Sequence, residues 1–383
     1  MSGRVIVMGS GELAPGLVAT HRAGLEGAAT DRVVVLDTPY GFQENADQLT
    51  ERIAGFFETS LRATVEVASL RNEHASTVEL ERFVAKIRSA RYVFSGPGSP
   101  SYALRIWSSV GLAPLLQDIV QAGGTVTFAS AASLALGRTT IPVYEIYKVG
   151  EAPHWLPGMD IMSGLGFPCT VIPHWNNAEG GNHDTSRCYI GERRLAGLLD
   201  ALDVGVLGID EHTAATIDFG EGRLSVAGAG SVTLRSATDI VLPTGTSMDT
   251  GEALRALGGR HRPLVAAGAR RSAEMDLEPA LAQRDPGAVL AALLDAEAEA
   301  HTSEEARSAF RSMLVRVVDE AADGLIDPRD RIAAFVDLLL AVRDSARSTN
   351  DYATADLIRS GLTSRGIEVK DTPTGTVWEL RTG

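Results

Sequence analysis

Three polar residues each follow an apolar run: Ser130 after 126–129, His174 at the end of 169–173, and Glu211 after 204–210. A hydroxyl, an imidazole and a carboxylate are the parts of a nucleophile, its base and the acid that holds the base in one tautomer. Ser130 also precedes Ala131-Ala132-Ser133. A strand-to-helix turn at that point projects the hydroxyl next to the N–H groups of a helix start, where an oxyanion would be stabilised. Singly, each residue has a plainer reading: a helix N-cap, a hydrogen-bonded loop histidine, a solvated glutamate. Successive strand ends carrying Ser, His and Glu favour the chemical reading.

The positioning elements follow from hydrophobic pattern. Short β-branched runs at 4–8, 32–37, 63–70, 91–95, 124–129, 169–173 and 204–210 alternate with helical patterns. One such helix covers 78–89, with Leu80, Phe83, Val84 and Ile87 on one face. This alternation predicts the α/β class, a parallel sheet flanked by helices, in which chemistry gathers at the C-terminal ends of strands. Two glycine-rich flanks join the site on that ground: Gly9-Ser10-Gly11-Glu12, and Gly96-Pro97-Gly98-Ser99-Pro100. Residues 214–219 and 223–227 around Gly220-Glu221-Gly222 predict a β-hairpin at a sheet edge. The expected organisation is an α/β domain over 1–243, a glycine-dotted linker over 244–262, a helical segment over 263–328, and a helical hairpin with a β-hairpin over 329–383. Thr302 to Glu305 reads as a capping box, and Asp327 before Pro328 as an N-cap with proline in the first helical position.

Composition excludes several classes. The 383 residues carry 49 acidic and 35 basic side chains, a net charge of −14, which repels phosphate backbones and anionic lipid. No apolar run approaches the ~20 residues of a membrane span, and the start lacks a signal-peptide pattern, so a soluble cytoplasmic protein is expected. Cys169 and Cys188 read as free thiols. The loop with Asn176, Asn177, Glu179, His183 and Asp184 fits no zinc spacing, so no metal is expected; His183 and Arg187, with Asn177, are candidates to contact a substrate carboxylate. A dinucleotide site is the weaker reading of Gly9-Ser10-Gly11, because Ala14 replaces the third glycine. Asp37 could serve as its ribose partner, but that reading leaves His174 and Glu211 unexplained. No cofactor is expected.

Over roughly residues 1–240 the sequence resembles the serine peptidases that include dipeptidase E and cyanophycinase, on a fold like class I glutamine amidotransferases. The resemblance is carried by Gly96 to Ser99, Ser130-Ala131, Pro173-His174-Trp175-Asn176-Asn177-Ala178, Glu192-Arg193-Arg194-Leu195, and Gly208-Ile209-Asp210-Glu211 leading into Thr213-Ala214. It implies a catalytic Ser130, His174 and Glu211, an oxyanion hole at Gly98 and Ala131, and a small peptide-like, Asp-containing substrate. Phe128 and Ala132 replace the glycines usual two places either side of the nucleophile, which predicts a tightened elbow or a narrowed pocket. The alternative function is an inactive ligand-binding or tRNA-associated module that keeps the fold.

A second resemblance covers 329–380. A helix through residues 332–339, then Asn350-Asp351-Tyr352-Ala353-Thr354-Ala355-Asp356-Leu357-Ile358-Arg359, Gly366-Ile367-Glu368-Val369 and Asp371 to Trp378 look like the C-terminal end of cysteinyl-tRNA synthetases. Nothing upstream resembles the synthetase core. Physically the segment predicts two helices and a β-hairpin turning at Thr374-Gly375, with Trp378 packed on the helices. The resemblance admits tRNA as a partner, but eight basic and eight acidic residues over 329–383 argue against tight binding. A membrane partner is not expected, and a homodimer is compatible with the sequence.

Overall fold

The computed structural model describes residues 2–258, 272–283, 285–325, 328–372 and 375–380. The chain forms two compact units, residues 1–316 and 317–383, so the division falls inside the helix Glu304–Leu325 and not in the expected linker.

In the first unit, β1 (Arg4–Met8), β2 (Arg32–Leu36), β3 (Thr64–Ala68), β4 (Tyr92–Ser95) and β5 (Thr125–Ala129) run parallel in the order β1-β5-β4-β2-β3. Their Val/Ile/Leu runs carry few polar residues because helices cover the faces of a parallel sheet, and Val5 to Met8 and Val33 to Leu36 are buried. The helices include Thr77–Ser89, started by a capping box between Ser76 and Glu79, and Pro100–Ser109, capped by Ser99.

The expected seven strands do not share one sheet. After the short pair β6 (Thr139–Thr140) and β7 (Leu156–Pro157), β8 (Thr170–Ile172) and β9 (Val206–Ile209) pair parallel in a second sheet. The predicted hairpin, β10 (Thr213–Asp218) and β11 (Arg223–Gly228), adds antiparallel to β1. Next come β12 (Ser231–Arg235) and β13 (Asp239–Pro243), which extend the second sheet from β9, and β14 (Ser247–Asp249), which pairs with β11. The edge therefore belongs to β14, inside the stretch read as linker. The helix Thr250–Ala256 follows it and sends Ala253 and Leu254 into the main core. Glycine spacing marked this stretch as loose, but two buried apolar side chains suffice to tether a short helix. The helices Ser272–Ala282, Pro286–Glu299 and Glu304–Leu325 occupy the segment expected to be helical; Ser303, not Thr302, caps the last through its hydroxyl to the Ala306 N–H.

The second unit holds the helices Pro328–Ser348 and Tyr352–Thr363, then the hairpin β15 (Ile367–Thr372) and β16 (Gly375–Leu380). Its core is Val336, Leu340, Leu362, Ile367, Val369 and Trp378, and the Trp378 indole N–H donates to Asp337 at 2.9 Å. Burying a tryptophan with its one donor satisfied is how such a small unit holds together. The proposed cap Asp327 and the turn residue Thr374 lie outside the described residues. Among the described residues no helix is long and apolar enough to cross a membrane.

Candidate active site

Ser130 follows β5 with φ 52° and ψ −125°, a backbone conformation that side-chain-bearing residues avoid at a cost of order 1–3 kcal/mol. It is held there by its own N–H donating to the Met8 carbonyl at 3.0 Å and by the Ser133 hydroxyl on its carbonyl at 2.6 Å. His174 follows β8 and also has positive φ, 49°. Glu211 follows β9 and Asp210, whose carboxylate is occupied by the Ser231 N–H and hydroxyl.

These strand ends meet. Ser130 Oγ lies 2.9 Å from His174 Nε2, and His174 Nδ1 lies 2.8 Å from Glu211 Oε1. A carboxylate only accepts, so Nδ1 carries the proton and Nε2 is left to accept from the serine hydroxyl. Burial opposes ionisation of Glu211, but hydrogen bonds from His174 and Asn177 outweigh it and hold the carboxyl below its usual range.

A cavity of about 500 Å³ opens over this group, lined in part by Gly98, Ser130, Ala131 and His174. Gly98 has φ 141°, and a Cβ there would lie 2.0 Å from the Pro39 carbonyl oxygen, so only glycine fits. Ala131 opens the helix Ala131–Leu134, so its N–H has no acceptor in a preceding turn.

The remaining sequence candidates are placed differently. Asn177 is buried and its amide serves Glu211, not the cavity. Arg187 stacks on Trp175 at 4.1 Å, pairs with Glu192 at 2.6 Å and donates to the Trp175 carbonyl. Its guanidinium is thus engaged within the protein, and the expectation of a substrate contact is corrected for both residues. His183 stacks on Tyr147, which lines the cavity, but does not itself form the wall. Phe128 is also corrected: it is fully buried against Trp107 at 5.5 Å in the main core and neither lines nor narrows the cavity. Ala132 is buried as well, and its N–H reaches the Gly96 carbonyl at 3.3 Å. Phe128 still belongs to β5 and packs into the core, whereas the positive φ of Ser130 turns the chain out of the strand and sends its side chain toward His174.

Sequence reasoning missed Tyr147, Lys148 and Tyr189, all in the cavity wall. Tyr189 lies 5.4 Å from the His174 ring and donates to Glu179 at 3.2 Å. Lys148 sits 4.8 Å over the Tyr147 ring and, among the described residues, no carboxylate pairs with it. Tyr147 and Lys148 come from the π-helical stretch Glu145–Val149, for which no sequence pattern gives a signal. Asp37, the candidate ribose partner, instead binds Ser69, the Leu70 N–H and Arg71.

No protein-family model matches the chain. A peptidase from an acI-B1 actinobacterium superposes with TM-score 0.54 at 21% identity, over 65% of this chain and 97% of that one. The α/β part of the chain shares the fold of that peptidase. A putative peptidase E from Listeria monocytogenes aligns at TM-score 0.42 and 15% identity, over 60% of this chain and all of the other. The cysteine–tRNA ligase of Heliobacterium modesticaldum is 28% identical over 192 residues, 45% of this chain and 38% of the ligase. That of Parabacteroides distasonis is 51% identical over 45 residues, 12% of this chain and 9% of the ligase. The chain thus spans well under half of the ligases it matches, and the likeness is to their C-terminal regions. A part with the actinobacterial peptidase's fold and a ligase-like segment stand on one chain.

Proposed function

We propose that the peptidase E-like part is a serine-dependent amide hydrolase for a small peptide-like substrate. The observation that carries this reading is the unbroken relay from Ser130 Oγ to His174 Nε2 and from Nδ1 to Glu211, at 2.9 and 2.8 Å. Ser130 attacks the amide carbonyl while its proton passes to Nε2; Glu211 keeps Nδ1 protonated and stabilises the imidazolium. The N–H groups of Gly98 and Ala131 receive the oxyanion, and His174 then returns the proton to the leaving amine. Water repeats the sequence on the acyl-enzyme. Lys148, which is not paired with the Glu179 carboxylate that also lines the wall, supports an acidic group on the substrate, in keeping with an Asp-containing peptide. Two buried free thiols are in keeping with a cytoplasmic setting.

Treatment with a fluorophosphonate probe tests the reading. Labelling of wild type that is lost in Ser130→Ala supports it. A folded wild-type chain that never labels overturns it in favour of a module that keeps only the pocket, and labelling that survives in His174→Ala overturns the Ser130–His174 relay.

A further inference from the structure

We propose, resting on the hydrolase reading, that Arg187 is a positioning residue for His174, acting through Trp175 and Glu192. The His174 ring must satisfy Ser130 on one nitrogen and Glu211 on the other. That aim depends on the backbone at 174–175, where His174 has φ 49°. The neighbouring carbonyls are gripped from one side of the loop: the His174 oxygen accepts from the Cys188 N–H at 3.2 Å, and the Trp175 oxygen from the Arg187 N–H at 3.0 Å and Arg187 Nη1 at 2.7 Å.

The gripping segment is itself in an unfavourable shape. Arg187, Cys188 and Tyr189 have φ of 59°, 58° and 68°, three consecutive left-handed residues without a glycine. L-residues take this conformation singly, in turns, and a run of three persists only where surrounding contacts impose it. The Arg187 guanidinium lies 4.1 Å from the Trp175 ring centre and its Nε donates to Glu192 Oε2 at 2.6 Å. The other Glu192 oxygen takes Arg235 Nη1 at 2.7 Å, and the Arg235 guanidinium lies 4.7 Å from the same indole. Trp175 in turn rests on Gly208 of β9, where a Cβ would fall 2.4 Å from the indole. One carboxylate therefore ties two guanidinium groups to the tryptophan that follows the base. A lysine could keep the charge of Arg187, but neither the flat stack nor the two-point grip.

The test uses the full chain with Arg187→Lys and Glu192→Gln, and two readings per folded molecule. One is the rate of fluorophosphonate labelling at Ser130. The other is the downfield proton resonance of His174 Nδ1–H, assigned by its loss in His174→Gln. The expected result is labelling slowed about tenfold or more in both variants, with the resonance broadened or lost. Millimolar guanidinium ion should restore labelling in Arg187→Ala. Wild-type labelling rates with the resonance intact in both variants would overturn the proposal. If Arg187→Lys does not fold, Glu192→Gln decides by the same readings. A wild-type chain that has the resonance but never labels would overturn the hydrolase reading, and the resonance in the variants would still decide the positioning role.

Discussion

Asn177 donates its side-chain amide to Glu211 at 2.8 Å, on the same carboxylate oxygen that receives His174 Nδ1. The adjacent Asn176 accepts from the Glu211 N–H, also at 2.8 Å, so two consecutive asparagines hold the acid by backbone and side chain. Asn177→Ala removes one of the two donors that keep the carboxylate ionised and aimed. We expect labelling of Ser130 to slow about tenfold, a barrier increase of about 1.4 kcal/mol, with the fold intact. An unchanged rate would mean that His174 alone suffices to orient Glu211.

His21 makes a pH prediction with a definite sign. It is fully buried, its Nε2 lies 2.8 Å from the Glu12 carbonyl and its Nδ1 2.8 Å from the Tyr92 hydroxyl. Burial lowers its pKa from 6.5 to about 4 despite the Glu12 carbonyl, so it is neutral in the folded protein. The unfolded chain takes up this proton below about 6.5, whereas the folded chain does so only near 4. Stability from this group is therefore complete above about 6.5 and falls as pH drops toward 4, by about 3 kcal/mol in all. Denaturant titrations at pH 7, 6 and 5, a window above the ordinary carboxylate range, should give a smaller slope for His21→Gln than for wild type.

Phe128 is a core residue beneath the elbow. Phe128→Ala should cost about 3–5 kcal/mol of stability through the cavity left against Trp107. Ser130 labelling per folded molecule should barely change. A variant of wild-type stability with a broadened substrate range would show that the side chain reaches the pocket after all.

The ligase-like segment is expected to bind tRNA weakly. Its Arg343 and Arg347 are committed to Asp371, and Lys370 to Glu379, so cations that could face phosphate are neutralised locally. A tRNA titration at two salt concentrations should find no submicromolar, salt-sensitive binding. Finding it would mean that the likeness to the ligases extends to RNA recognition.

Much of the fold was legible from local pattern. Apolar runs and glycine flanks marked β1 to β5 and the residues that end β5, β8 and β9, because a strand's burial and its exit into a loop are written within a few consecutive positions. The ligase-like segment was legible through order and spacing, which a helix pair and a hairpin of their own core preserve. Tertiary structure decided what depends on distance across the chain. It split the strands between two sheets, drew β14 out of the supposed linker, and turned Arg187 and Asn177 inward to Glu192 and Glu211. It also brought Lys148 and Tyr147 to the cavity from an irregular stretch. The type of a long polar side chain states what it can bind, but whether it turns to a substrate or to a neighbour depends on which partners the fold sets within reach, and that is not encoded at its own position.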